Sequence, residues 1–180
     1  MRDRRNIILT GFMGSGKTTV GRLLARRLGW RFTDLDRSIE RRAGASVAAV
    51  FRDRGEAAFR DLEHRALRDL ERTSRRVVAV GGGAPVFPRN RRWLRAAGLV
   101  VYLKVSPAEL ARRLGRARGR PLLASARGSR SALLALVRRL LRRRESAYAL
   151  ADLTVRAGAP SPARVAAAIA RRMRPESASR

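Results

Sequence analysis

The sequence predicts an α/β domain built on a parallel sheet with helices on both faces. Three observations predict it. Short apolar runs alternate with amphipathic helical stretches along the whole chain. Two of those runs, residues 77–80 and 99–105, are nearly continuous aliphatic stretches, the pattern of strands covered on both faces. Two runs also end in glycine-rich turns, at the strand ends where open parallel sheets bind their ligands.

Taken in order, Asn6–Thr10 reads as a short strand running into glycines. Arg2, Arg4 and Arg5 before it imitate the start of a signal peptide, but the apolar run is too short for one or for a membrane span. Lys17–Leu28 places Val20, Leu23, Leu24 and Leu28 on one helical face and stops at Gly29. Arg31–Asp34 is a second strand, followed by short helices over 37–42 and 47–52. Phe59, Leu62, Ala66, Leu67 and Leu70 recur at helical spacing and predict a longer helix over 56–72. After the strand at 77–80 come a helix over 91–97, the strand at 99–105 and a helix over 107–114 with Pro107 at its first position. Residues 116–129 lack periodicity and carry three further loop-forming residues, Gly119, Pro121 and Gly128, which predicts a mobile loop. A long helix over 131–148 turns Leu133, Leu136, Val137, Leu140 and Leu141 inward. A last strand at 153–155 and a helix over 161–173 close the fold.

A length of 180 residues fits one domain over 1–180, with a short basic tail at 174–180. The chain has no cysteine, which excludes disulfides, thiolate metal sites and a thiol nucleophile. Its net charge is +28, and only Lys17 and Lys104 among the 42 basic residues are lysines. Such a surface attracts polyanions without specificity. The arginines are scattered along helix faces and aromatic residues make up 5% of the chain, so no dedicated nucleic-acid module is expected. No membrane association is expected, and a cytoplasmic location is.

Gly11-Phe12-Met13-Gly14-Ser15-Gly16-Lys17-Thr18 matches G-x-x-x-x-G-K-S/T between a strand and a helix. In that setting backbone N–H groups curl around phosphate oxygens and the helix N-terminus adds its positive end. Lys17 is placed for the β- and γ-phosphates and the Thr18 hydroxyl for Mg²⁺. A lysine kept here, in a chain that otherwise uses arginine, suits a compact ammonium where a planar fork does not fit. The motif predicts binding of a nucleoside triphosphate.

Asp34-Leu35-Asp36 follows the second strand, and strand alternation would turn both carboxylates to one face. One can hold Mg²⁺ through water while the other accepts a proton from an attacking hydroxyl. Equally, Asp36 can cap the following helix. Gly81-Gly82-Gly83 after a buried strand suits a backbone that approaches a ligand closely. Arg120-Pro121 in the predicted loop can bring a cation over the phosphates on closure. Nothing local distinguishes Arg60, Arg143 or Arg144 from a solvated face. His64 reads as a surface or half-buried helix residue rather than a catalyst, and Trp30, Trp93 and Tyr148 read as packing residues.

Together these residues resemble the shikimate kinases, small members of the P-loop family related to nucleoside monophosphate kinases. The resemblance rests on GFMGSGKTTVG, the DLD after the second strand, GEAAFRDLE, VGGGA, and RPLL followed by RRRESAY, in that order. It implies a three-layer P-loop kinase fold with a five-stranded parallel sheet, the first strand central, a mobile lid over 116–129, and a monomer. It implies ATP and Mg²⁺ dependence and phosphorylation of the 3-hydroxyl of shikimate. Gly14, Ser15, Gly16, Lys17, Thr18, Thr19 and Arg120 would bind ATP. Asp36, Arg60, Gly81, Gly82, Gly83 and Arg144 would bind shikimate, with Arg143 the alternative to Arg144; the four-residue step to Tyr148 favours Arg144. Asp36, Lys17 and Arg120 would carry catalysis, and Thr18 with Asp34, through water, the metal. Ala79 stands where a serine is frequent, and the adenine contacts around 157–161 are left unassigned. A gluconate kinase and a basic nucleic-acid-binding P-loop protein are the rival readings.

Overall fold

The computed structural model describes residues 6–115 and 129–173. Five strands form one all-parallel sheet: β1 (Asn6–Thr10), β2 (Arg31–Asp34), β3 (Arg76–Ala79), β4 (Gly98–Lys104) and β5 (Leu153–Arg156), in the order β2-β3-β1-β4-β5. β1 is therefore central, and alternation along it divides the core in two. Ile7 and Leu9 face α1 (Lys17–Leu28), α5 (Pro107–Gly115), α6 (Arg130–Tyr148) and α7 (Pro162–Met173), where Leu24, Leu110, Val137 and Ile169 are buried. Ile8 faces α2 (Leu35–Ala43), α3 (Val47–Leu70) and α4 (Pro88–Ala97), where Ile39, Leu67 and Leu94 are buried. Burial on both sides explains why β1 is apolar at consecutive positions.

The two helices expected at 47–52 and 56–72 are the arms of α3, which breaks at Gly55. Gly55 has φ 76° and ψ 174°, a conformation that side-chain-bearing residues rarely adopt. α2 starts two residues earlier than the periodicity suggests, because Asp34 rather than Asp36 is its cap: Asp34 Oδ1 accepts from the Arg37 N–H at 3.4 Å. Asp36 thus lies in the first helical turn, not in an extended D-L-D. α4 likewise begins at Pro88, after a 3₁₀ turn over Ala84–Val86 that the sequence pattern does not announce. Ser129 belongs to α6, whose start it caps through the Ala132 N–H at 3.2 Å. The remainder of the expected lid, residues 116–128, and the tail at 174–180 lie outside the described residues.

The ends of the sheet opposite the glycine turns are pinned by Asn6, which is fully buried. Its Nδ2 donates to Thr73 O and Ala97 O at 2.9 Å each, and its Oδ1 accepts from the Arg76 N–H at 3.1 Å. One amide therefore joins β1, β3 and the ends of α3 and α4. Asn6→Leu leaves these groups unpaired in an apolar setting, and should cost about 3 kcal/mol of stability. Thermal denaturation should show Tm lower by roughly 6–12 °C.

Candidate active site

The loop from Gly11 to Gly16 leads out of β1 and into α1, with Gly16 at φ 93° immediately before the first helical residue. Only a residue tolerant of the left-handed region turns the chain so sharply into the helix, leaving the helix N-terminus open to an anion. Lys17 Nζ donates to Gly11 O at 2.8 Å and Phe12 O at 3.2 Å, which lays the ammonium across the loop. Ser15 is buried beneath the loop, and its N–H donates to Phe12 O at 3.1 Å. A cavity of about 480 Å³ opens here. Its walls include every expected position from Gly14 to Thr19, together with Asp34, Asp36, Gly81 and Gly82.

The two aspartates differ in their surroundings. Asp34 Oδ2 accepts a hydrogen bond from the Thr18 hydroxyl at 3.1 Å. This hydroxyl–carboxylate pair at the cavity wall is a hard-oxygen donor set of the kind Mg²⁺ takes alongside water and phosphate oxygens. Asp36 Oδ1 is buried and has no hydrogen-bond partner. Burial raises the Asp36 pKa and the neighbouring Asp34 adds to the effect, while Lys17 opposes it. A carboxylate with a free acceptor and increased proton affinity, in the same cavity as the phosphate loop, suits a proton acceptor.

Gly81, Gly82 and Gly83 all avoid the left-handed region, so their glycine character has a different cause. A Cβ at Gly81 would stand 3.0 Å from Asp36 Oδ1 and 3.2 Å from Glu63 Oε1. At Gly83 it would stand 3.0 Å from both terminal nitrogens of Arg60, and at Gly82 3.2 Å from Gly11 O. The three glycines let charged side chains and the phosphate loop close against the backbone.

Arg60 and Gly83 are not part of the cavity wall; the Arg60 guanidinium packs against Gly83, and its charge acts on Asp36 in that wall. Its Nη1 donates to Glu63 Oε2 at 3.0 Å, and its Nε and Nη2 donate to Glu56 Oε1 at 3.1 and 2.9 Å. Glu63 is fully buried, also receives Asn90 Nδ2 at 3.2 Å, and keeps Oε1 without a partner. Burial raises its pKa, against the pull of Arg60. Sequence reasoning missed Glu63 as a site residue. The signal was present: an acidic residue at helical spacing within the apolar stripe of Phe59, Ala66 and Leu67, three positions after an arginine.

Arg144 is half-buried and Arg143 is exposed, and neither is part of the cavity wall. The Arg144 guanidinium lies 5.7 Å from the Phe12 ring centroid. Tyr148, one turn further along α6, is more than packing. It stacks on Tyr102 with centroids 5.0 Å apart and donates its hydroxyl to Gly82 O at 2.6 Å. Burial raises its pKa, so the hydroxyl remains a donor. Arg113 was also undistinguished in the sequence. Its Nη1 donates to Gly14 O at 3.1 Å and its Nη2 to Gly158 O at 3.1 Å, joining the phosphate loop to the segment after β5. Hydrogen bonds from Arg112 and Arg113 lower the Glu109 pKa to about 2, so this clasp stays ionised. Ala157 and Pro160, in the segment left unassigned by the sequence, line the same cavity. Arg120 lies outside the described residues.

A family model described as shikimate kinase matches residues 13–174. The chain belongs to the shikimate kinase family. The shikimate kinase of Geobacter sulfurreducens is 51% identical over 153 residues, which cover 85% of this chain and 82% of that relative. A relative from Moorella thermoacetica is 43% identical over 94% of this chain and 92% of its own length. Among solved structures, the shikimate kinase of Acinetobacter baumannii in complex with shikimate superposes with a TM-score of 0.84 at 38% identity, covering 95% of this chain and 93% of that one. The Bacteroides thetaiotaomicron shikimate kinase gives 0.83 at 35% identity, over 94% of this chain and 96% of that one. Membership of the shikimate kinase family makes this chain an ATP-using phosphotransferase, and the parallel sheet with β1 central is the P-loop kinase architecture.

Proposed function

We propose that this shikimate kinase family member moves the γ-phosphoryl group of ATP to the 3-hydroxyl of shikimate, giving shikimate 3-phosphate and ADP on the route to chorismate and the aromatic amino acids. The observation that carries the reading is Asp36, a carboxylate with one unpartnered oxygen in the wall of the cavity that also holds the phosphate loop. Asp36 takes the proton of the acceptor hydroxyl as its oxygen attacks the γ-phosphorus, and the bond to the ADP oxygen breaks. Lys17 and the α1 N-terminus stabilise negative charge on the phosphates, with Arg120 assigned to the same task by the family resemblance. Arg60 and Arg144 hold the acceptor's carboxylate, and the Gly81–Gly83 backbone offers N–H groups to the acceptor.

Thr18 and Asp34 would hold Mg²⁺ with water between Asp34 and the ion. When bound, the ion would supply positive charge that offsets the negative charge of the phosphates. No helix among the described residues is long and apolar enough to cross a membrane. A cytoplasmic monomer is the proposed working form, with no dedicated nucleic-acid partner; its +28 charge gives nonspecific attraction to polyanions.

The test is coupled ADP release with ATP and Mg²⁺, comparing shikimate, gluconate and no acceptor. Release that depends on shikimate alone is expected. Release with gluconate only would keep the fold and overturn the substrate.

A further inference from the structure

Phe87 sits immediately before α4, where serine, threonine, aspartate and asparagine are favoured because they cap the exposed helix N–H groups. Its side chain caps nothing. Although half-buried, it belongs to neither of the two hydrophobic clusters of the core. Its ring instead faces Arg60, with the guanidinium carbon 4.4 Å from the ring centroid. Phe59 and Phe51 approach the same carbon at 5.1 and 5.8 Å. Arg60 is only 14% exposed. Glu56 and Glu63 therefore take its N–H edges while aromatic rings confine its faces.

We propose that Phe87 is a positioning residue for acceptor binding: its ring holds the Arg60 guanidinium in the orientation that receives the acceptor's carboxylate. Both ion pairs to Arg60 come from α3 itself, at i−4 and i+3, and so tether the guanidinium only to its own helix. Phe87, between the 3₁₀ turn and α4, is the aromatic contact that comes from outside α3, and Gly83 leaves room beside it for both terminal nitrogens. A cation over a desolvated ring face gains electrostatic attraction without spending any of the N–H donors. Glu56 and Glu63 engage three of the five guanidinium N–H groups, and the second hydrogen on each terminal nitrogen is left for an acceptor carboxylate, which a hydrogen-bonding side chain at position 87 would compete for. The lost helix cap is thus offset by a placed arginine.

The inference rests on Arg60 binding the acceptor's carboxylate, and the experiment separates the two. Phe87→Ser restores a capping hydroxyl, Phe87→Leu keeps apolar volume without a π face, and Phe87→Tyr keeps the ring. Steady-state kinetics with shikimate and ATP each varied, and calorimetric titration with shikimate, are run beside Arg60→Ala. Phe87→Ser and Phe87→Leu should raise the shikimate KM and Kd roughly 3- to 30-fold, with kcat and the ATP KM unchanged. Phe87→Tyr should stay near the starting protein. Phe87→Ser should keep or raise Tm, since the helix gains a cap. A normal shikimate KM in Phe87→Leu, or an equal rise in the ATP KM, would overturn the proposal while Arg60→Ala still impairs shikimate binding. A normal shikimate KM in Arg60→Ala would overturn the role of Arg60 and the proposal with it.

Discussion

Asp36→Asn is expected to lower kcat by a factor of about 10²–10⁴ while leaving nucleotide binding intact. Asparagine keeps the shape of the side chain and removes its capacity to take a proton. Among the described contacts Asp36 makes no hydrogen bond to the Gly14–Gly16 loop or the Thr18–Asp34 pair; it is coupled to Lys17 and Asp34 through charge, and removing a negative charge there keeps or strengthens the binding of an anionic nucleotide. Calorimetric titration with ADP checks the second half of the expectation. Normal turnover in the variant would remove Asp36 from the reaction.

The same substitution should raise stability near neutral pH. Burial raises the Asp36 pKa above its ordinary value of 3.8, so the folded protein binds that proton more tightly than the unfolded chain does. The contribution to stability is then fully present below pH 3.8 and is lost as pH rises through the folded value. At neutral pH the protein bears the full cost of an ionised buried carboxylate, and asparagine relieves it. The expected result is a higher Tm for Asp36→Asn at pH 7, with the difference shrinking as pH falls toward 3.8. A Tm difference that does not depend on pH would contradict this origin.

The second large effect is on Arg60. Arg60→Ala should raise the shikimate KM by about 10²-fold, the loss expected for a charge-assisted, two-pronged carboxylate contact, with the ATP KM unchanged. Arg60→Lys should fall between, since it keeps a charge and loses the fork. Removing Arg60 also strips the fully buried Glu63 of its cation, and breaking such a pair costs about 3–5 kcal/mol. Glu63 already has a raised pKa, and without Arg60 it rises further. Stability of Arg60→Ala should therefore decline as pH rises from 4.5 upward. Adding Glu63→Gln should recover Tm without recovering the shikimate KM, which separates binding from folding in one pair of variants.

Much of this was readable in the chain because it depends on neighbours in sequence. The Gly11–Thr18 spacing is itself the loop, since φ preferences and a following helix N-terminus are local properties. Consecutive apolar residues in β1, β3 and β4 announced strands buried on both faces, and the gap between two helical stretches marked the break at Gly55. The start of α2 was misread because Asp34 and Asp36 are both good caps, and only the observed hydrogen bond to the Arg37 N–H chooses between them.

The partners of the site's side chains lay beyond any local window. Glu63 meets Asn90 across 27 residues, Tyr148 meets Gly82 across 66, and Arg113 meets Gly14 across 99. A sequence pattern records which face of an element is apolar, and so specifies the sheet and its covering helices. It does not record which of many arginines will be desolvated against a ring and two carboxylates. That was decided when α3, the glycine turn and the start of α4 packed together, because a charge acquires its partner and its altered proton affinity only once water has been excluded around it.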